Sequence, residues 1–132
     1  MGLIFDTGVF IKAEREKRAG TLLSAADGEE VGLCSISVSE LYEGVHLASS
    51  AARAVQRRAF IEQFALAFPV FDFGMKAALH HARLRASQRQ QGKMIGAHDL
   101  IIAATAMSLG WEVLTYNVAE FRQVEGLGVR AA

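Results

Sequence analysis

A single cysteine, Cys34, rules out any disulfide within the chain, and its place inside an apolar stretch makes it a small core filler. A reducing, cytoplasmic location is the corresponding expectation. Long apolar runs are also missing. The longest largely apolar stretch, Leu100 to Met107, falls far short of the ~20 residues a membrane span needs, so no membrane association is expected. Met1-Gly2 opens like an acylation signal, but Asp6 stands where that signal needs Ser or Thr. No basic segment precedes a signal-like run. Charge of one sign is absent: 14 basic and 14 acidic residues leave a formal net charge of zero, which argues against a protein that coats polyanions wholesale. Neither a G-x-G-x-x-G nor a P-loop occurs, and there is no repeat, low-complexity tract or interior linker.

What is present suits one domain spanning residues 1–132. Hydrophobic residues make up 52% and the mean hydropathy is +0.22, enough for a sheet covered on both faces with some left for a partner surface. Strands are expected at Leu3–Asp6, Val31–Ser37, Val70–Phe73 and Glu112–Tyr116, with a weaker fifth at Val129-Arg130. Helices are expected from about Val9, from Gly20 to Ala26 with a break at Asp27-Gly28, after a cap at Ser39, from Ala51 to Phe68, from Gly74 to Gln91 and from Asp99 to Leu109. Pro69 ends the fourth of these, Gly110 closes the last, and Arg89 to Lys93 reads as a surface loop. The Gly74–Gln91 helix is expected to turn Met75, Ala78, Leu79, Ala82 and Ala86 inward. Alternating strands and helices predict an α/β fold: a parallel sheet of four or five strands covered by helices on both faces.

Acidic residues mark the ends of these elements. Asp6 follows the first apolar run, Glu40 follows the second, Asp99 precedes the most apolar helix, and Asn117 and Glu120 follow the fourth strand. Carboxylates at the ends of buried elements are costly unless something pairs with them. In open α/β sheets ligands gather beyond the carboxyl ends of the strands. A hard cation such as Mg²⁺ or Mn²⁺, used for phosphate chemistry, is the simplest occupant. Taken singly, Asp6 also reads as a helix cap, Glu40 as an exposed first-turn acid and Asp99 as a dipole partner. His98 reads as a cap-region residue, His46, His80 and His81 as structural, and Trp111 and Tyr116 as core aromatics rather than base-stacking platforms. The basic clusters around Lys12 to Arg18, Arg53 to Arg58 and Arg83 to Lys93 read as solvated helix faces.

Four segments, in order, resemble the PIN-domain ribonucleases and specifically the VapC-like toxins of bacterial toxin–antitoxin pairs. They are Leu3-Ile4-Phe5-Asp6-Thr7; Ser37-Val38-Ser39-Glu40-Leu41-Tyr42-Glu43-Gly44; Ile95 to Ala106 around His98-Asp99; and Thr115-Tyr116-Asn117-Val118-Ala119-Glu120-Phe121. The resemblance covers nearly the whole chain and implies a single PIN-like domain with Mg²⁺- or Mn²⁺-dependent endoribonuclease activity. It implies Asp6, Asp99 and Glu40 as metal ligands, with Asn117 as the fourth catalytic position. Thr7, Ser39, Thr115 and Glu120 would support substrate or ligands. It also implies an RNA substrate, transfer or ribosomal, a cognate antitoxin and a homodimer, for which the Phe60, Ile61, Phe64 and Phe68 stripe offers an apolar surface. The departures are Gly8, where relatives commonly carry Ser or Asn, and Asn117, where many carry Asp; they leave open a weakened PIN-fold module that binds RNA or protein. A haloacid-dehalogenase-like phosphatase is disfavoured because its second Asp would fall at Gly8, and a receiver domain because its extra acidic pair is missing.

Overall fold

The computed structural model describes residues 2–18, 20–26 and 28–132, with the side chains of Thr21 and Leu23 left aside. Asp27, half of the expected Asp27-Gly28 break, lies outside the described residues. Five strands form one sheet: β1 Gly2–Phe5, β2 Glu30–Cys34, β3 Val70–Phe71, β4 Glu112–Thr115 and β5 Val129–Ala131. Their order is β3-β2-β1-β4-β5 and every pairing is parallel. The chain winds outward from β1 to β3, then crosses back to place β4 on the other side of β1. That reversal is a topological switch point, the place in such sheets where a crevice opens beyond the strand ends.

Seven helices cover the sheet: α1 Thr7–Arg15, α2 Gly20–Ala26, α3 Ser35–His46, α4 Ala51–Phe60, α5 Met75–Gln91, α6 Ala97–Leu109 and α7 Val118–Phe121. The first four share a core with one sheet face, where Leu3, Phe5, Val31, Leu33 and Leu114 meet Val9, Phe10, Leu41 and Val45. The opposite face, with Ile4, Cys34 and Val113, packs on α5 and α6 through Leu84, Leu100 and Ile102. Alternate strand residues thus point to opposite cores, as the period of two requires. Glycine permits two close approaches on the second face. A Cβ at Gly2 would stand 2.3 Å from Trp111 and one at Gly32 2.4 Å from Phe71, so the two rings lie directly on the backbone and meet edge-on at 5.2 Å. Ser50 caps α4 by accepting from the Arg53 N–H, and Gly92 and Gly110, both left-handed, close α5 and α6.

Several expectations change. Ser35 to Ser37 belong to α3 rather than β2, so Ser39 is not a cap; it lies exposed more than a turn inside the helix. β3 stops at Phe71, and the long helix from Ala51 gives way to a π-helical turn at Ile61–Ala65. Arg89 to Gln91 continue α5 instead of forming a loop. The inward face of α5 is Ala77, Leu84 and Gln88, while Met75 (78% exposed) and Leu79 (67%) face solvent with Ala82 and Ala86. The helix turns a different face inward from the one Met75 and Leu79 predict, because alanine fits either side of a helix and leaves the phase to the few large residues. In contrast, Ile61 is buried and Phe60, Phe64 and Phe68 pack into the first core, Phe68 against Phe5 and Phe10. That stripe is mostly core, and only Phe60 and Ile61 also line a cavity open to a partner. The short helix α7 was not anticipated.

Candidate active site

The carboxyl edge of β1 and β4 builds the site. The Asp6 N–H donates to Leu114 O at 3.0 Å, which locks the first residue after β1 onto the neighbouring strand. Asp6 occupies the N-cap position of α1 without using its side chain as a cap, which frees the carboxylate for other work. Its Oδ2 accepts from Thr115 Oγ1 at 2.8 Å, and Thr115 Oγ1 in turn accepts from the Asn117 N–H at 2.9 Å. Burial pushes the Asp6 carboxyl above the usual range, against the pull of Thr115 and of the Thr7 N–H; Glu40 and Glu120 push it further.

Glu40 reaches the same edge from the second turn of α3. Thr7 Oγ1 lies 2.8 Å from both Glu40 Oε1 and Ser37 Oγ. An ionised carboxylate only accepts, so the single Thr7 proton goes to Glu40, and Ser37, fully buried, donates to Thr7. The other oxygen, Glu40 Oε2, faces His98 Nδ1 at 3.8 Å. His98 therefore does more than stand near a cap: its ring nitrogen faces one of the acids of this edge.

Asp99 and Glu120 complete the group. Asp99 lies in the first turn of α6, and its carboxyl is pushed up to about 7, first by burial, then by the Asp6 charge, its hydrogen bond with Glu120 and the charges of Glu120 and Glu40. A Cβ at Gly96 would stand 3.4 Å from Asp99 Oδ2 and 3.6 Å from Glu120 Oε1, so both carboxylates crowd one stretch of backbone. The Gly96 N–H donates to Glu120 Oε1 at 2.8 Å, and the Asn117 side-chain amide donates to Glu120 Oε2 in a short contact. Asn117 therefore holds Glu120, and Glu120 brings the fourth carboxyl group to the edge. Gly8 leaves the space beside Asp6 empty; a Cβ there would come 4.0 Å from Asp6 Oδ2.

Asp6, Glu40, Asp99, Asn117, Thr7, Thr115 and Glu120 all converge on this edge, and Ser39 does not. Ser37 and His98 were missed as site residues. Ser37 stands three residues before Glu40, the spacing that puts two side chains on one helix face, but reading Ser37 as strand hid the relation. The converging donors are oxygens, the set a hard divalent cation takes. Among the described residues no three His, Cys, Asp or Glu side chains already stand close enough to enclose an ion. Cys34 contributes no thiolate, since burial pushes it up to about 12. A cavity of about 300 Å³ opens between α1, α3 and α4, lined by Ile11 and Phe60, by Arg15, Arg53 and Arg57, and by Glu40. Among the described residues no helix is long and apolar enough to cross a membrane.

This fold and edge define a PIN domain, and the model of that domain matches residues 3–127. The chain is 35% identical over 132 residues to Ribonuclease VapC1 of Rickettsia felis, covering 98% of this chain and 95% of that one. It is 34% identical over 96 residues to the tRNA(fMet)-specific endonuclease VapC of Shigella flexneri, covering 73% of each. The fold superposes on VapBC2 from Rickettsia felis, solved bound to a DNA fragment from its promoter, with a TM-score of 0.89, 24% identity and coverage of 100% and 99% of the two chains. The chain belongs to the PIN-domain family, and within it to the VapC ribonucleases of VapBC toxin–antitoxin systems.

Proposed function

We propose that the chain is the toxin of such a pair, an endoribonuclease that needs Mg²⁺ or Mn²⁺ and acts in the cytoplasm. The observation that carries this reading is the convergence of four carboxylates on one strand edge, where burial first and the neighbouring acids second push Asp99 up to about 7. Asp6 and Asp99 would hold the cation directly, with Glu40 as a further ligand or as the group that positions water. When bound, such a cation supplies Lewis-acid stabilisation of the phosphoryl oxygens and acidifies water. The protein's part is orientation. Thr115 aims Asp6, Ser37 and Thr7 aim Glu40, and Gly96 with Asn117 aims Glu120. Glu40 Oε2 is the atom suited to take a proton from water as it attacks in line and displaces the 3′ oxygen, leaving a 5′-phosphate.

The weakened-module alternative rests on Asn117 and Gly8. Glu120 weakens it, because the charge missing at Asn117 is supplied three residues later. Purified protein is expected to cleave a structured RNA with Mg²⁺ or Mn²⁺, to stop in EDTA and to leave 5′-phosphate ends. Asp6→Asn, Glu40→Gln and Asp99→Asn should each cost at least ~100-fold, as for loss of a transition-state electrostatic element. Full activity in EDTA would refute the mechanism. Transfer RNA is the first substrate to test, given the Shigella relative.

Two protein partners fit the surface. The cavity between α1, α3 and α4 suits an antitoxin tail with apolar side chains, and an arginine at its Glu40 end would neutralise the acids. The exposed Met75 and Leu79 on α5, in place of the Phe60 stripe, suit a second copy of the chain. Light scattering at micromolar concentration should then read a dimer; a monomer there rules out that use of α5.

A further inference from the structure

Trp111 and Tyr116 stand at opposite ends of β4, and burial separates them. Trp111 lies on Gly2, part-buried against the second core. Tyr116 is 51% exposed at the catalytic edge, between Thr115, which holds Asp6, and Asn117, which holds Glu120. Neither core includes it. Its ring is met by Lys12 from α1, whose Nζ lies 4.2 Å from the ring centroid. The other recorded ion partner of Lys12 is Glu16, at 4.0 Å along the same exposed helix. Such a surface pair is weak, and a phosphate can replace it.

A nucleic acid approaching this edge meets Asp6, Glu40, Asp99 and Glu120, and its phosphates are repelled. Contacts that hold it must come from groups indifferent to that field or opposite to it. A π-face stacks on any base whatever the surrounding charge, and an ammonium attracts the phosphate. Tyr116 and Lys12 provide one of each, touching each other, at the residue next to the site. Lys12 covers one face of the ring while half of the residue stays open to solvent.

We propose that Tyr116 and Lys12 form the subsite for the nucleotide flanking the scissile phosphate, with Tyr116 stacking on its unpaired base and Lys12 Nζ pairing with its phosphate. The proposal rests on the ribonuclease reading and narrows the substrate: the segment at the cut must be single-stranded, because a base inside a duplex offers no free face. Since stacking is tolerant of sequence, the subsite selects an open strand and leaves base identity to other contacts.

The test uses the full chain and a fluorescein-labelled, unstructured oligoribonucleotide, with binding read in EDTA and initial rates in Mn²⁺. Tyr116→Ala is expected to weaken binding and raise KM by about 5- to 100-fold, the range for losing one base–aromatic stack, with the loss falling on KM rather than kcat. Tyr116→Phe recovers most of what Tyr116→Ala loses. Lys12→Gln lowers the slope of log Kd against log salt by about 0.7, one phosphate contact to a single strand. In Tyr116→Trp, RNA quenches the added indole, with the parent, whose one tryptophan is Trp111, as the blank. A fully paired duplex competes poorly. If Tyr116→Ala melts lower but keeps the parent KM, the pair is only a surface staple and the subsite is overturned. A parent that cleaves while the tyrosine variants behave alike refutes the subsite and spares the ribonuclease reading. The binding pattern above without any cleavage does the reverse.

Discussion

The two ends of the sheet use acidic residues in opposite ways. At the end where β4 begins, Glu29 and Glu112 share one arginine: Arg130 donates to Glu29 Oε1 at 2.5 Å and to Glu112 Oε1 at 2.6 Å. Both acids are neutralised, and the arginine ties β5 to the segment before β2. At the carboxyl end, Asp6, Glu40 and Glu120 are held by hydroxyls, a backbone N–H and an amide, Asp99 shares a hydrogen bond with Glu120, and His98 Nδ1 stands 3.8 Å from Glu40. Hydrogen bonds orient these acids, and among the described residues no arginine is shared between two of them as Arg130 is between Glu29 and Glu112. One end spends its charges on holding strands together; the other keeps them available for a ligand, and the raised Asp6 and Asp99 show the cost.

The largest test of that contrast is metal linkage. Mn²⁺ at ~100-fold above its Kd should stabilise the parent by about 2.7 kcal/mol. Asp99→Asn should lose that gain, yet melt at the parent temperature or higher without metal, because it removes a repelled charge. The sign against pH follows from the same residue. The folded-state carboxyl of Asp99, at about 7, lies above the ordinary 3.8, so the folded protein binds this proton more tightly. Its contribution is fully present below about pH 4 and is lost as pH rises through about 7; Asp99→Asn should flatten that part of the curve. Thermal melts from mildly acidic to neutral pH, one series in EDTA and one in Mn²⁺ without EDTA, read both. A mutant that melts lower without metal and still gains as much from Mn²⁺ would mean that the carboxylates do not share a site.

The smallest expected effect lies at the other end. Arg130→Gln should lower the melting temperature modestly, leave the Mn²⁺ gain intact and leave cleavage near the parent rate. A loss of metal-induced stabilisation in this variant would break the division between the two ends.

Much of the fold was legible because buried parallel strands announce themselves as short apolar runs, and Leu3-Ile4-Phe5 and Val113-Leu114 do so plainly. Boundaries failed where side chains are ambiguous. Ser35-Ile36-Ser37 alternates like a strand, yet it opens α3, which carries Ser37 and Glu40 to the site on one face. The α5 stripe failed because alanine gives no phase. Tyr116 failed for a related reason: an aromatic after a strand usually packs inward, and only the end of β4 at the sheet edge leaves this one in solvent.

Which residue types end each element is written in the chain, and with it the collection of acids, hydroxyls and an amide beyond the parallel strands. That much is local, because periodicity and chain order are properties of the chain. Which of them meet is a matter of the fold. Thr115 reaches back 109 residues to Asp6, Thr7 serves Glu40 across 33, and Gly96 with Asn117 makes Glu120 a member of the group. The strand order that puts β4 beside β1 sets those encounters, and no spacing along the chain encodes them.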